Sequence, residues 1–542
     1  MSSSISRRTT TIGALVLFVA LSVVMTWPQA RVLATHVPDS DDPLLSIWRI
    51  AWIAHILPTA PADLMNGNIF YPEPRTLAYT DAVLLQGLVA APVIWAGVTP
   101  MVTYNLIILL SIALSGWTMF LYARHLTDRV CAALLAGIVF AFVPFRFDHL
   151  HHLELQATMF LPLALLWIDR ALETGARREV WLAVAAVVAQ VYCGIYYAVF
   201  LVTALLVVIP LRWRSLPVDR RAGVVRAGVL AAVVGGVVVL PYVAVYVLNR
   251  SSLGDRKSSD VLAYSATWWN YLSTPSENVV HGGWSGALGQ SERRLFPGVI
   301  ALVIGVVGVI GLERRRLTLL VAGVVGFAIS LGSNTPLYAI LTSVLFIYNG
   351  LRAPARASIL VFLALAGLVA FGWARLERSL KGWAPAATAV VALALLGEYA
   401  TVQSHWLITS PRPPEVYQWL SRQPRSVVLE FPVAHADRLD LVPDGIYMFR
   451  STEHWQPILN GYSGFFPKSF LDLTEFMKTF PSEASIAYLK QRQVDLIVVH
   501  GGMLAPDRFG AITTSLLGRP DIEAEGKFEE PRGPDMVFRL IR

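Results

Sequence analysis

The stretch Asp81-Ala-Val-Leu-Leu-Gln-Gly-Leu-Val-Ala-Ala-Pro-Val-Ile-Trp-Ala-Gly-Val98 decides how the rest of this 542-residue chain is read. It is apolar and close to bilayer-spanning length. Other runs of spanning or near-spanning length lie at 12–27, 103–122, 130–145, 155–170, 180–194, 196–211, 224–247, 297–312, 317–332, 357–374 and 386–402. Place Arg7 and Arg8 in the cytoplasm and let 81–98 dip without crossing. Arg124/Arg129, Arg170/Arg177/Arg178, Arg212/Arg214/Arg220/Arg221, Glu313-Arg-Arg-Arg316 and Arg375/Arg378/Lys381 then fall on that same side. If 81–98 crossed, every one of these basic loops would flip outward, against the positive-inside bias. The segment is therefore read as re-entrant or interfacial. So is 336–347, which is short and opens at Pro336.

The composition agrees. The chain is 55% hydrophobic and 15% charged, where a soluble chain carries about 25% charge. The net charge of +7 comes from arginines clustered between apolar runs. No soluble face interleaves basic and aromatic residues, which excludes nucleic acid as a partner. Cys131 and Cys193 both sit in apolar runs, so no disulfide framework or zinc-type spacing is in play. The run from Thr11 to Trp27 lacks a small-residue cleavage site after it and reads as an uncleaved first span.

The predicted fold is mainly α: a polytopic bundle of about eleven transmembrane spans plus re-entrant or juxtamembrane helices, ending in a small extracytoplasmic α/β domain. Residues 1–403 form the membrane module, with outer loops 28–102, 146–154, 248–296 and 333–356. Residues 404–542 form the α/β domain. Pro411, Pro413 and Pro414 mark its linker. Strands are predicted at 426–431, 494–499 and 536–541, and a helix at 485–493. No dinucleotide loop is present, and Gly461-Tyr-Ser-Gly464 is too short for a nucleophile elbow. The location is a membrane, with the long loops and the C-terminal domain outside.

Chemistry therefore belongs to the outer loops. The first reads His36-Val-Pro-Asp39-Ser-Asp41-Asp42-Pro43-Leu-Leu-Ser46-Ile-Trp48-Arg49-Ile-Ala-Trp52-Ile-Ala-His55. Three carboxylates this close raise at least one pKa and favour a general base or a bound cation. The run after Pro43 is an amphipathic interfacial helix with Asp42, Ser46 and Arg49 on one face. Asp42 before Pro43 is also a good N-cap, and capping alone is a second reading of that residue. The next cluster is Arg146-Phe-Asp148-His149-Leu-His151-His152-Leu-Glu154. So many ionisable groups at a span end line a polar cavity or form an interfacial belt. Arg352-Ala-Pro-Ala-Arg356 binds phosphate or anchors to lipid headgroups. Trp268-Trp269 is an aromatic belt or a sugar platform. His454-Trp455 and Asn460-Gly-Tyr-Ser-Gly464 form a polar-aromatic patch in the tail.

This layout resembles the GT-C superfamily of membrane glycosyltransferases. The resemblance rests on Asp39-Ser-Asp41-Asp42 after the first span, the juxtamembrane segments Pro43–Leu57 and Asp81–Val98, the cluster Arg146–Glu154, and the soluble α/β end. It covers about 400 residues by architecture. Asn68-Ile-Phe-Tyr-Pro72 and Arg352-Ala-Pro-Ala-Arg356 also resemble uncharacterised bacterial and YfhO-like membrane proteins. The resemblance implies an inverting glycosyltransferase taking a sugar from a polyprenyl-phosphate carrier to an extracytoplasmic lipid, glycan or protein acceptor. It implies catalytic roles for Asp39, Asp42 and Glu154. Substrate binding would involve Asp41, Arg49, His55, Arg146, His149, His152, Arg352 and Arg356. A divalent cation, magnesium or manganese, would sit on Asp39 and Asp42 if one is used. The membrane implied is the bacterial cytoplasmic one. The competing reading is a non-catalytic protein that binds or translocates a lipid-linked saccharide.

Overall fold

The apolar runs form helices, even across Pro92, Pro210 and Pro241, because lipid offers no partner for an unpaired backbone group. A computed structural model describes residues 2–39, 41–311, 313–403, 405–409, 412–434 and 442–541. The predicted domain boundary at residue 404 and the linker proline Pro411 lie outside the described residues. The chain is 68% helical with a small C-terminal sheet. Every apolar run named above is occupied by a helix.

Among the described residues, seven stretches are long and apolar enough to cross a membrane by length and composition: Arg8–Met25, Pro100–Thr127, Val130–Asp148, Leu153–Thr174, Ile195–Ser215, Val218–Leu253 and Pro354–Tyr399. The last contains two helices, Ser358–Leu380 and Ala384–Tyr399, separated by a short 3-10 turn. Helices Arg177–Cys193 and Arg314–Ser330 have 17 residues each. Val299–Val309 has 11, about 16 Å of helix. Leu84–Trp95, at the centre of the deciding stretch, has 12 residues. That is about 18 Å of helix, well short of a hydrocarbon core of about 30 Å.

The chain divides into two compact units. The first comprises residues 1–33, 105–243 and 255–405 and holds most of the long helices. Its packing leans on small residues. A Cβ on Gly308 would lie 2.0 Å from the Leu368 carbonyl oxygen, and one on Gly372 would lie 2.0 Å from that of Ile304. Val299–Val309 and Ser358–Leu380 therefore touch backbone to backbone, as small residues permit between membrane helices.

The second unit comprises residues 34–104, 244–254 and 406–542. Strand β1 (His36–Pro38) pairs antiparallel with β2 (Trp406–Ile408). A four-stranded sheet is formed by β3 (Val428–Phe431), β4 (Leu496–His500), β5 (Ile522–Phe528) and β6 (Asp535–Leu540), in the order β3-β4-β6-β5. β3 and β4 are parallel and buried throughout, which explains why they are apolar apart from Glu430 and His500. The helix Asp41–Ile56 packs on both Leu84–Trp95 and Val442–Arg450. The segment after it is stitched to the tail by main-chain bonds: Ile458 N donates to Asn68 O (2.8 Å), Tyr71 N to Ile458 O (3.0 Å) and Phe70 N to Asn460 O (3.1 Å). The first outer loop and the C-terminal domain are thus one folding unit.

Candidate functional site

In the first unit the predicted polar cluster is built on a tight loop between two spans. Pro144 starts the short helix Pro144–Asp148, and Leu153–Gln156 follows. Arg146 braces this loop from within. Its Nη1 donates to Thr158 Oγ1 (2.5 Å) and its Nη2 to Gln156 O (2.9 Å), and Gln156 Nε2 returns bonds to the carbonyls of Arg146 and His149. Arg146 is only 2% exposed, so its guanidinium holds the loop's shape.

His149 is fully buried. Its Nδ1 lies 3.4 Å from His152 Nδ1, and its Nε2 lies 3.8 Å from Glu292 Oε2. Glu292 is gripped through both oxygens by Arg356, with Nε to Oε2 at 2.8 Å and a second bond from Nη2 to Oε1. Burial alone would raise the Glu292 pKa, but the Arg356 guanidinium holds it well below the usual carboxylate range. Burial pushes His149 well below the ordinary imidazole value. At neutral pH the cluster is a carboxylate–guanidinium pair beside a neutral imidazole. Asp148 accepts from Arg294 (2.9 Å) in the same region. Glu154 is buried and faces the backbone turn at Gly194, where an added Cβ would sit 3.2 Å from Glu154 Cβ.

Arg356 also lies over the Tyr196 ring (5.0 Å), and Arg352 over Tyr264 (4.9 Å). Tyr196 Oη accepts from Arg352 N (2.7 Å). The two arginines differ in one respect. Arg356 is committed to Glu292, whereas among the described residues the half-buried Arg352 guanidinium carries no ion pair.

His149, His152 and Glu292 offer three ligand atoms within 4.8 Å of one another. They fit a divalent cation by distance, but such an ion would have to share Glu292 with a guanidinium already bonded to both its oxygens. His125, Asp169 and Glu173 make a similar group at a different place. There the acids are taken by Arg212 (2.8 Å to Asp169, 3.2 Å to Glu173) and Arg315 (3.0 Å to Glu173). This second cluster gathers residues from the predicted basic loops at one end of the first unit. Asp148, His149, Glu292, Arg294 and Arg356 gather separately from it.

In the second unit Asp39 adopts a left-handed backbone (φ 70°) and bridges to Trp406. Asp41 and Asp42 open the helix Asp41–Ile56, and Asp42 Oδ1 accepts from Tyr462 Oη (3.1 Å). Arg49 is 2% exposed; it donates to Ser46 Oγ (2.7 Å) and to the Asp81 carbonyl. It thus ties this helix, which is buried on all sides rather than amphipathic as expected, to the residues before Leu84. His55 stacks on Trp455 (4.2 Å, 16°).

Sequence reasoning did not single out Glu292, Arg294 or Tyr196. Glu292 sits in Ser291-Glu-Arg-Arg294, which reads as a solvated charge run. Nothing local signals that it is buried. Tyr462 lay in the polar-aromatic tail patch, but its partner is 420 positions away.

The fold is shared with three solved membrane proteins. An arabinofuranosyltransferase, AftD, from Mycobacteria matches with a TM-score of 0.59 and 16% identity over 99% of this chain. The chain spans 40% of the length of that enzyme. The archaeal oligosaccharyltransferase AglB from Archaeoglobus fulgidus, solved with an inhibitory peptide and a dolichol-phosphate, matches with a TM-score of 0.51 and 11% identity over 92% of this chain and 70% of its own. ArnT from Cupriavidus metallidurans matches with a TM-score of 0.50 and 15% identity over 97% of this chain and 98% of its own. The chain has the GT-C fold of these membrane glycosyltransferases. No curated protein matches it in sequence. The profile described as "Domain of unknown function (DUF6311)" matches residues 58–353, more than half of the chain, and the protein belongs to the DUF6311 family.

Proposed function

We propose that the protein is an inverting glycosyltransferase that moves a sugar from a polyprenyl-phosphate carrier to an extracytoplasmic acceptor. The observation that carries this reading is the half-buried Arg352, a cation that among the described residues has no ion pair, in a chain whose fold is that of lipid-linked-sugar transferases. A partly desolvated guanidinium gains most from an anion that arrives with the substrate, and a phosphate suits its fork geometry. Arg356, locked by Glu292, adds positive potential at a fixed place. The oligosaccharyltransferase neighbour was solved with a dolichol-phosphate, which supports a carrier of this class.

In the proposed reaction the acceptor hydroxyl oxygen attacks the anomeric carbon as the carbon–oxygen bond to phosphate breaks. The electron pair leaves with the phosphate, next to Arg352. A carboxylate takes the hydroxyl proton; the candidates are Asp39 and Asp42 in the second unit and Glu154 in the first. In the first unit His149 and His152 add polar groups and Arg146 holds their loop; in the second unit Asp41 adds a carboxylate at the helix start and Arg49 holds that helix. Magnesium or manganese, when bound, would neutralise charge developing on the leaving phosphate. We infer about eleven crossings: the seven long stretches, the last of which holds two helices, supply eight, and Arg177–Cys193, Val299–Val309 and Arg314–Ser330 supply three. The membrane would be the bacterial cytoplasmic one, with residues 404–542 outside.

The test is transfer from a panel of radiolabelled polyprenyl-phosphate pentoses and hexoses by the purified protein in nanodiscs. Asp39→Asn combined with Asp42→Asn is expected to abolish transfer, and Arg352→Ala to raise the KM for the carrier. Transfer by the double aspartate variant at the wild-type rate would remove the proposed chemistry.

A further inference from the structure

The second unit holds a cleft of about 610 Å³ that the reaction above does not use. That size suits a small-molecule or oligomer subsite. One wall is aromatic. His55 stacks on Trp455, and Trp52 lies 5.8 Å from Trp455 and 6.0 Å from His55. The wall is held from behind. Trp52 Nε1 donates to Leu64 O (2.8 Å), and Trp48 Nε1 donates to Asn68 Oδ1 (2.9 Å) while Asn68 Nδ2 donates to Gln456 O (3.0 Å). Trp455, half-exposed, is held in the left-handed region (φ 56°), which bulky residues rarely occupy without cause.

The polar side of the cleft includes His454, and its chemistry can be worked out. Its Nδ1 accepts from Gln456 N (3.0 Å), so the proton of the neutral ring is on Nε2. Burial holds this imidazole down to about 4, so it is neutral at physiological pH. The Nε2–H is buried, yet among the described residues it has no hydrogen-bond partner. An unpaired buried donor beside a cleft is what a ligand acceptor would satisfy. Arg425, exposed, and Glu73 stand at the rim.

The cleft suits a sugar better than a peptide. Extended peptides bind by adding a strand to an open sheet edge. Here the outer edge of β3 is already closed: Val428 N donates to Pro457 O (2.9 Å) and Leu459 N to Val428 O (3.0 Å). The far side of that segment is taken by residues 68–71, as described above. What remains is an aromatic face, a neutral donor and a polar rim, which match the apolar face and hydroxyl edge of a sugar ring.

We propose that this cleft binds a neutral saccharide chain, with a sugar ring stacked on Trp455 and a hydroxyl accepting from His454 Nε2–H, and that it seats a glycan acceptor. The acceptor role rests on the transferase reading; the binding does not. The experiment is saturation-transfer NMR on the full chain in nanodiscs, without donor, using cellohexaose, mannohexaose and arabinohexaose as probes and a neutral alanine–serine hexapeptide as comparison. At least one glycan is expected to bind. Trp455→Gly, which keeps the backbone geometry, and His454→Phe, which keeps the ring, are each expected to weaken it about tenfold, or 1.4 kcal/mol. Arg425→Ala, an exposed change that leaves the fold untouched, is expected to weaken it about threefold. Failure of all three glycans to bind would overturn the proposal. So would binding indifferent to all three substitutions, or hexapeptide binding with the same dependence on Trp455 and His454. A protein that binds glycan through these residues but transfers nothing would sink the transferase reading and leave the cleft standing.

Discussion

Take the carboxylate from Glu292 and the Arg356 guanidinium is left buried without its counter-ion. Glu292→Gln is therefore expected to destabilise the protein by about 3–5 kcal/mol, read as a lower melting temperature in detergent. Glu292→Gln with Arg356→Met should recover part of that loss, because the orphan charge goes too. A second residue carries a pH signature. His500, on β4, contacts Glu430 of β3 (3.0 Å) and Asp535 of β6 (3.0 Å). Burial alone would lower its pKa, but these two hydrogen bonds raise it to about 9. A pKa raised on folding gives stability that is complete below the unfolded value near 6.5 and lost as pH rises through 9. The contribution is on the order of 3 kcal/mol. Asp444, raised to about 7 by burial, acts over a lower window, so unfolding midpoints should be compared between pH 7 and 9. The wild type is expected to weaken across that interval and His500→Phe to show a flatter profile. Among single residues, Asp39, Asp42 and the histidine turn were legible as candidates because charges at the end of an apolar run are conspicuous. Glu292 and Glu430 were not. One sits in a charged run and the other in an apolar strand, and each is explained only by partners distant in sequence.

At the scale of elements, the helix Val299–Val309 is short for a membrane and depends on its contact with Ser358–Leu380. Gly308→Leu would force a side chain into the Leu368 carbonyl. It is expected to separate the two helices and sharply lower the yield of monodisperse protein on size exclusion, whereas Gly13→Leu, where a Cβ meets nothing within 4 Å, should have no such effect. The long helices were legible from hydropathy alone. The α/β end was legible where strands are buried: the predicted 426–431, 494–499 and 536–541 correspond to β3, β4 and β6. β5 was missed because Ile522-Glu-Ala-Glu-Gly-Lys-Phe528 is an edge strand with charged, largely exposed positions. Such composition protects an edge and hides it from pattern reading. β1 and β2 were missed because three residues each carry no period.

For the whole molecule the decisive quantity is sidedness. Single cysteines at Asn66 and Lys527, in a background lacking Cys131 and Cys193, are expected to react with a membrane-impermeant maleimide in intact cells. A cysteine at Arg214 should react only after permeabilisation. Labelling of Arg214 from outside would invert the assignment. The proposed orientation rests on counting arginines, and the labelling decides it. The two-unit division was not legible in the sequence, because it depends on contacts such as His36 with Ile408 and Tyr71 with Ile458.

Those contacts have a consequence for biosynthesis. The ribosome delivers His36–Pro38 and Asn68–Tyr71 early, yet their pairing partners emerge only after residue 405. During synthesis the early loop waits with its hydrogen-bonding edges unmatched. A nascent chain stopped short of Trp406 would insert its helices but leave that surface unfinished.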